Sequence, residues 1–290
     1  MELENKVDKY LKILFPINRS LTGKGVRKTL NILKKIIPIN IKRVRSGAKF
    51  FDWVVPDEWN VNDAFVKDSK GNRVIDFKKN NLHLVGYSEP IKVNVTLKEL
   101  KKYLHTLPDQ PSLIPYMTSY YQRKWGFCLS ENDLKSLKND NYEVFIDSTL
   151  TKGFMDYGEL IIKGKSKKEI LFSTYICHPS MANNELSGPI VSSFIAEYLL
   201  KIKKPYYTYR FIFIPETIGS IMYINKNLKE LKNNVIAGYV VTCVGDSGDF
   251  SFLKSKEENT AVDRVTLHVL KFHTKNHNIY NFYDHRGSDE

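Results

Sequence analysis

The chain has 290 residues, 42% of them hydrophobic and 26% charged, with a formal net charge of +12. That size and apolar content support a substantial core in one large domain or two smaller ones, and no segment is depleted enough in apolar residues to argue for long disorder. No apolar run approaches the roughly 20 residues of a membrane span, and the polar N-terminus Met1–Lys6 lacks a signal-peptide core.

Three cysteines (Cys128, Cys177, Cys243) lack paired spacing, which points to a reducing, cytoplasmic compartment rather than a disulfide framework. The positive charge is spread as lysine pairs such as Lys34-Lys35, Lys101-Lys102 and Lys203-Lys204. A nucleic-acid binder gathers Lys and Arg on one face with stacking aromatics, so the scatter argues for solvated surface and against a nucleic-acid partner.

In chain order, Leu3 to Phe15 has helical spacing, broken by Pro16, and Val26 to Ile37 is an amphipathic helix ended by Pro38. Ile41 to Val44 reads as a short strand. From Ser46 to about Trp125 the texture becomes aromatic and turn-rich, with strands at Phe50–Pro56 and Leu82–Tyr87. A helical stretch follows at Leu97–Leu107, and Asp68–Asn72 forms a hairpin-like connection. This predicts a mainly-β module at 46–128 inserted into an α/β domain made of 1–45 and 129–290. Beyond Ser130, strands at Tyr142–Ser148, Glu159–Lys163, Glu169–Ile176, Tyr207–Ile214 and Val235–Cys243 are interspersed with helices at Ile190–Leu200, Ile221–Leu231 and Thr260–His273. A final strand is expected at Ile279–Tyr283. Alternation of this kind predicts an α/β fold, three layers with a mixed, mostly parallel sheet covered on both faces.

The chemistry gathers at the strand ends, where ligands lie in open α/β sheets. His178 follows the apolar run Glu169–Ile176, and Asn184 and Glu185 follow in the loop before the next helix. Glu216 and Thr217 end the run Tyr207–Ile214, one strand-helix-strand unit later. Cys243 and Asp246 end the next strand, and Asp284-His285-Arg286 ends the last. Imidazole and carboxylates at adjacent tips suit a zinc ion with a position open for water, and a glutamate beside that water suits a general base. Taken singly, each has a plainer role. His178 before Pro179 would bond a turn, Glu216 would favour a helix start, and Asp246 between glycines would serve a turn. Cys177 and Cys243 read as small buried hydrophobes. The argument rests on the constellation.

The His178–Gly188 loop and Pro215-Glu-Thr-Ile-Gly-Ser220 resemble the di-zinc aminopeptidase superfamily, with its strand-end histidine, Asp-Asn-x-Ser-Gly turn and Glu-Glu-x-Gly turn. More closely, the chain resembles bacterial aminopeptidase-like proteins of polysaccharide-biosynthesis clusters. That likeness runs through Asn18–Gly23, Ser46–Trp59, Trp125–Cys128, Ile176–Ser180, Pro215–Ser220 and His285–Glu290. It implies the three-layer zinc-aminopeptidase fold with an inserted β module. By position, His178 would be the first metal ligand and Glu216 the general base. Asn184 stands where the superfamily has a bridging aspartate, and Thr217 where a second glutamate binds metal. Losing both carboxylates favours one zinc ion over two, or none, with His178, Glu185 and Asp246 as the ligand set and His285 as a further cleft candidate. The resembling proteins also continue past Glu290, so the chain is expected to be C-terminally truncated.

The resemblance implies a metal-dependent hydrolase cleaving an amide bond in a small peptide or amino-sugar-related substrate, with no membrane partner. A non-catalytic binding protein that reuses the cleft is the alternative.

Overall fold

The computed structural model describes residues 2–289. A five-stranded central sheet runs in the order Asn40–Arg45, Phe154–Ile162, Thr208–Ile214, Glu169–Tyr175, Val235–Val240. The last three strands are parallel; Phe154–Ile162 is antiparallel to both its neighbours, which makes the sheet mixed. Phe211 and Phe213 bury on one face, and Ile212 and Ile214 on the other. A strand buried on both faces needs apolar residues at every position, and Phe211 to Ile214 has them.

The Phe211 face is covered by helices Glu2–Leu14, Lys24–Leu33 and Gly188–Lys201. Gly158 lets the first sheet-facing helix come close: a Cβ there would stand 2.9 Å from Leu30 Cδ2 and 3.2 Å from Ile39 Cδ1. The opposite face carries helix Ile218–Asn234 and a second sheet, joined in one apolar cluster through Trp59, Val144, Ile146, Tyr157, Ile212 and Met222. The chain is therefore α/β in three layers, with the second sheet occupying part of one layer. No described helix is long and apolar enough to cross a membrane.

The second sheet is antiparallel, ordered Arg73–Asp76, Glu58–Lys67, Asn141–Thr151, Ile91–Thr96. Its longest strand, Asn141–Thr151, lies beyond residue 128, where the sequence reading ended the module. Buried Tyr142, Val144, Ile146 and Ser148 alternate with more exposed residues, a period of two that identifies a strand but not its partner. The first sheet-covering helix stops at Leu33, not Ile37: Lys34–Ile37 turn back while Ile37 stays buried. Leu82–Tyr87 is not a strand, since Asn80 caps a single helical turn at Asn81–His83. Leu97–Leu107 breaks after Leu100 into a tighter turn and a two-residue strand. The last strand is His277–Tyr280, paired with Phe250–Leu253 away from the central sheet.

Arg27 fastens the module to the central sheet. Its guanidinium donates to Glu58 of the second sheet and, at 2.8 Å, to the fully buried Asp156 of the central one. Burial would raise the Glu58 pKa, but the bonds from Arg27, the Phe154 amide and Asn60 prevail and hold it at about 2. Ionised Glu58 thus adds stability above its ordinary value of 4.5, and that stability is lost as pH falls towards about 2. Glu58→Gln is expected to lower stability at pH 7 by about 2 kcal/mol. The gap from the parent should close between about pH 4.5 and 2 in denaturant titrations; a gap independent of pH would remove Arg27–Glu58 as its source.

Candidate active site

Strands Glu169–Tyr175 and Thr208–Ile214 pair in parallel from Glu169↔Thr208 to Tyr175↔Ile214. Beyond the last pair, the Ile176 amide still donates to the Ile214 carbonyl at 3.1 Å. The chains then diverge, and two residues on each side bring His178 and Glu216 together: His178 Nε2 lies 2.9 Å from Glu216 Oε2. In between, the buried Cys177 thiol accepts from the Glu216 amide at 3.3 Å.

The other side of the imidazole faces the loop. Residues Ala182–Ser187 form a π-helical turn that feeds into helix Gly188–Lys201, the kind of local widening that recurs at functional positions. It turns Glu185 inward, fully buried, with Oε1 accepting from the His178 amide at 2.7 Å and Oε2 at 3.1 Å from His178 Nδ1. Asn184 Oδ1 also lies 3.1 Å from Nδ1. Gly188 permits the turn, since a Cβ there would stand 2.2 Å from the Val241 carbonyl and 2.4 Å from Thr174 Oγ1.

Arg19 closes the site from behind. It is 1% exposed, and its Nε donates to the His178 carbonyl at 2.9 Å while Nη1 donates to the Leu14 carbonyl at 2.7 Å. Burial lowers its pKa to about 10, an effect that nearby Glu185 opposes. Burial alone would likewise lower the His178 pKa, but Cys177, Glu185 and Glu216 raise it. The Cys177 thiol is itself pushed up to about 12 by burial, so it stays neutral and the two carboxylates carry the effect. Glu216 is held below its ordinary value chiefly by His178, against burial and with help from Ser288.

The segment between strands Ile91–Thr96 and Asn141–Thr151 supplies the outer wall. The Tyr116 ring lies 4.6 Å from the imidazole, and its hydroxyl is 3.3 Å from that of Tyr120. Burial raises both phenols, Tyr120 to about 12, so both remain neutral donors. Thr217 has backbone angles φ 61° and ψ −84°, a conformation that costs a non-glycine residue about 1–3 kcal/mol and persists only when its surroundings enforce it.

The structure thus brings together His178, Asn184, Glu185, Glu216 and Thr217. It leaves Asp246 outside that group: exposed, Asp246 accepts from Asn183 Nδ2 at 2.7 Å and from the Gly248 amide at 2.8 Å. Cys243 is exposed rather than a buried hydrophobe, with Sγ 3.8 Å from Asn184 Nδ2. His285 is exposed, its ring 4.7 Å from that of Tyr280 and tilted by 40°, at the end of the separate two-stranded sheet. The fourth tip was misplaced because its strand is not in the central sheet. Arg19, Tyr116, Tyr120, Ser288 and Asp289 were missed. Arg19, Ser288 and Asp289 sit inside the stretches that carry the resemblance, but nothing in their type or spacing marks them as neighbours of His178 and Glu216.

The mixed sheet and the layers that cover it form an aminopeptidase-like fold, and comparison supports that class. The chain superposes on the zinc aminopeptidase of Bacillus subtilis with a TM-score of 0.63 at 11% identity, covering 95% of this chain and 80% of that one. On the peptidase M28 precursor of Shewanella amazonensis the TM-score is 0.65 at 12% identity, covering 100% and 81%. These likenesses show the fold. The chain belongs to the family described as a domain of unknown function, DUF4910, matched over residues 8–290. A Clostridium acetobutylicum protein, named for polysaccharide biosynthesis and an aminopeptidase-like domain, is 48% identical over 289 residues; these are 100% of this chain and 66% of that protein. A crystal structure from the same organism, named for a peptidase, has a TM-score of 0.96 at 48% identity, covering 99% and 68%.

Replacing Arg19 by Met is expected to cost about 3 kcal/mol, because it strands the His178 carbonyl and leaves buried Glu185 without its cation. Denaturant unfolding measures it, and a loss below about 1 kcal/mol would remove Arg19 from the support of the loop.

Proposed function

We propose that the chain carries a zinc-dependent amide hydrolase of aminopeptidase type, acting in the cytoplasm on a small peptide or amino-sugar-related substrate during surface-polysaccharide biosynthesis. The observation that carries this reading is Glu216 fixed against His178 at paired strand tips, with the buried Glu185 carboxylate on the far side of the ring. Glu185 Oε2 is buried with no well-aligned donor, His178 Nδ1 lying 3.1 Å away, and the donor atoms of Cys177, His178 and Glu185 lie within 4.8 Å of one another. Imidazole and carboxylate are both zinc ligands, so His178 and Glu185 fit one ion. His178 and Glu185 would hold it; Asp246 would join them only by leaving Asn183 and Gly248.

A bound zinc supplies carbonyl polarisation and a more acidic water. The chain's own residues would do the rest. Of the two carboxylates on His178, Glu216 is the one with partial exposure, 24% at its side chain against 0% for Glu185, and so the one that substrate and water can reach. Its Oε2 would take the proton from the attacking water and return it to the leaving nitrogen. Tyr116 and Tyr120, as neutral donors, would face the substrate carbonyl and keep bulk water from His178. The free cysteines support the compartment, and the name of the Clostridium relative supports the pathway.

A second reading has its own observation. Both ring nitrogens of His178 already have protein partners, Glu216 on one side and Asn184 with Glu185 on the other. A cleft closed in this way suits a binding protein that has given up metal chemistry.

Elemental analysis with turnover of a panel of aminoacyl and acyl-amino-sugar amides separates the two. Protein equilibrated with zinc is expected to hold about one ion, lost in His178→Ala. Glu216→Gln is expected to keep the ion and lose at least 100-fold in turnover. Undiminished turnover in Glu216→Gln would end the mechanism, and absence of metal after equilibration would favour the binding protein.

A further inference from the structure

Glu216 is held by more than His178. Its second oxygen, Oε1, accepts a hydrogen bond from Ser288 Oγ. Next along the chain, Asp289 bonds twice to the helix that follows Glu216: Oδ1 accepts from the Thr217 amide at 2.8 Å and Oδ2 from Ser220 Oγ at 2.6 Å. Two consecutive residues, about seventy positions away in sequence, thus grip the base and the peptide that carries it.

We propose that Ser288 and Asp289 are positioning residues for Glu216, with Asp289 locking the Glu216–Thr217 peptide and Ser288 fixing the carboxylate's rotation. The proposal rests on the reading of Glu216 as general base. Helix Ile218–Asn234 begins without a side-chain cap from Thr217, so its first amide donors need a partner from elsewhere. The Thr217 amide finds it in Asp289, and an anion there is favoured by the helix dipole. The strained Thr217 angles are what the bond enforces. Released from Asp289, Thr217 would relax to an ordinary φ, and a rotation at that peptide swings the preceding residue. Glu216 would then leave His178 Nε2. Ser288 acts one step closer, since a carboxylate with one oxygen on His178 and the other on a hydroxyl has a single plane open to it. Positioning of a base to within a fraction of an ångström decides how well it transfers a proton.

The test uses a readout that needs no substrate. In the chain labelled with 15N-histidine and freed of metal by chelator, the His178 Nε2–H proton facing Glu216 should give a downfield resonance, assigned by its loss in Glu216→Gln. Ser288→Ala and Asp289→Ala are each expected to shift or broaden that signal. Ser220→Ala, which keeps the Thr217 bond, should leave it in place while lowering the Tm. An unchanged signal in both Ser288→Ala and Asp289→Ala, with only the Tm lowered, would reduce Asp289 to a helix cap and overturn the proposal. Should Asp289→Ala fail to fold, Ser288→Ala decides alone. With a hydrolysed amide in hand, both variants should lose at least tenfold in kcat at unchanged KM, and Ser288→Thr should restore it. A parent chain that hydrolyses nothing sinks the functional reading, while the resonance still decides the positioning.

Discussion

Everything at the site depends on one pairing, the parallel register of Glu169–Tyr175 against Thr208–Ile214 up to Tyr175↔Ile214. Because side chains alternate between faces with a period of two, a slip of one residue would turn Phe211 and Phe213 towards the module and send Ile212 and Ile214 to the helices. Two separate apolar clusters hold the strand in place, one on each face. The distance between His178 and Glu216 is therefore set by core packing rather than by the loops that carry them. The glycines at the loop exits serve the same end. Gly188 and Gly219 sit where helices begin hard against the strand ends, and a Cβ on Gly219 would stand 2.7 Å from Ile214 Cγ1.

The second sheet is bound into this frame instead of hanging from it. Its core is continuous with that of the central sheet, and Arg27 bridges their carboxylates. An aromatic chain runs from Trp59 stacked on Tyr87, through Tyr120, to Tyr116 beside the imidazole. Tyr87 and Tyr120 both have positive φ, so the tyrosine segment is shaped by its packing and not by local preference. The module thereby contributes a wall of the cleft, and its own stability bears on how that wall is held.

The strands and helices of the α/β half were legible because their signals are local: β-branched runs and helical spacing. Adjacency of His178 and Glu216 was legible as well, since one strand-helix-strand unit brings successive parallel strands side by side. What stayed hidden is non-local. Nothing in Asn141–Thr151 says that its partners are Glu58–Lys67 and Ile91–Thr96. Nothing in Arg19 says that it reaches a carbonyl 159 residues away. Asp246 looked like a ligand because it follows a strand that ends beside the histidine strand, but that strand stops at Val240 and six further residues carry Asp246 to Asn183. His285 was misjudged for a related reason, its strand belonging to another sheet.

The loop before helix Gly188–Lys201 shows how a site can keep its charge when a carboxylate goes missing. Asn184 is neutral, yet the π-helical turn directs the next side chain, Glu185, into the same space. Glu185 and Glu216 both face the imidazole and the buried Arg19 guanidinium offsets Glu185, which leaves one negative charge near the imidazole. In a low-dielectric setting that charge needs a partner. A protonated His178 balances it within the protein, which is the arrangement the raised imidazole pKa describes. A divalent cation on Glu185 and a neutral His178 would balance it with one positive charge to spare, attractive to a substrate carboxylate or to hydroxide. A proton and a metal ion would compete for the same pair of residues, and affinity for the metal would fall as pH drops through the imidazole's own titration. The neutral Asn184 leaves the site one carboxylate short of what two dications would need, so competition of this kind is compatible with a single ion and works against a second.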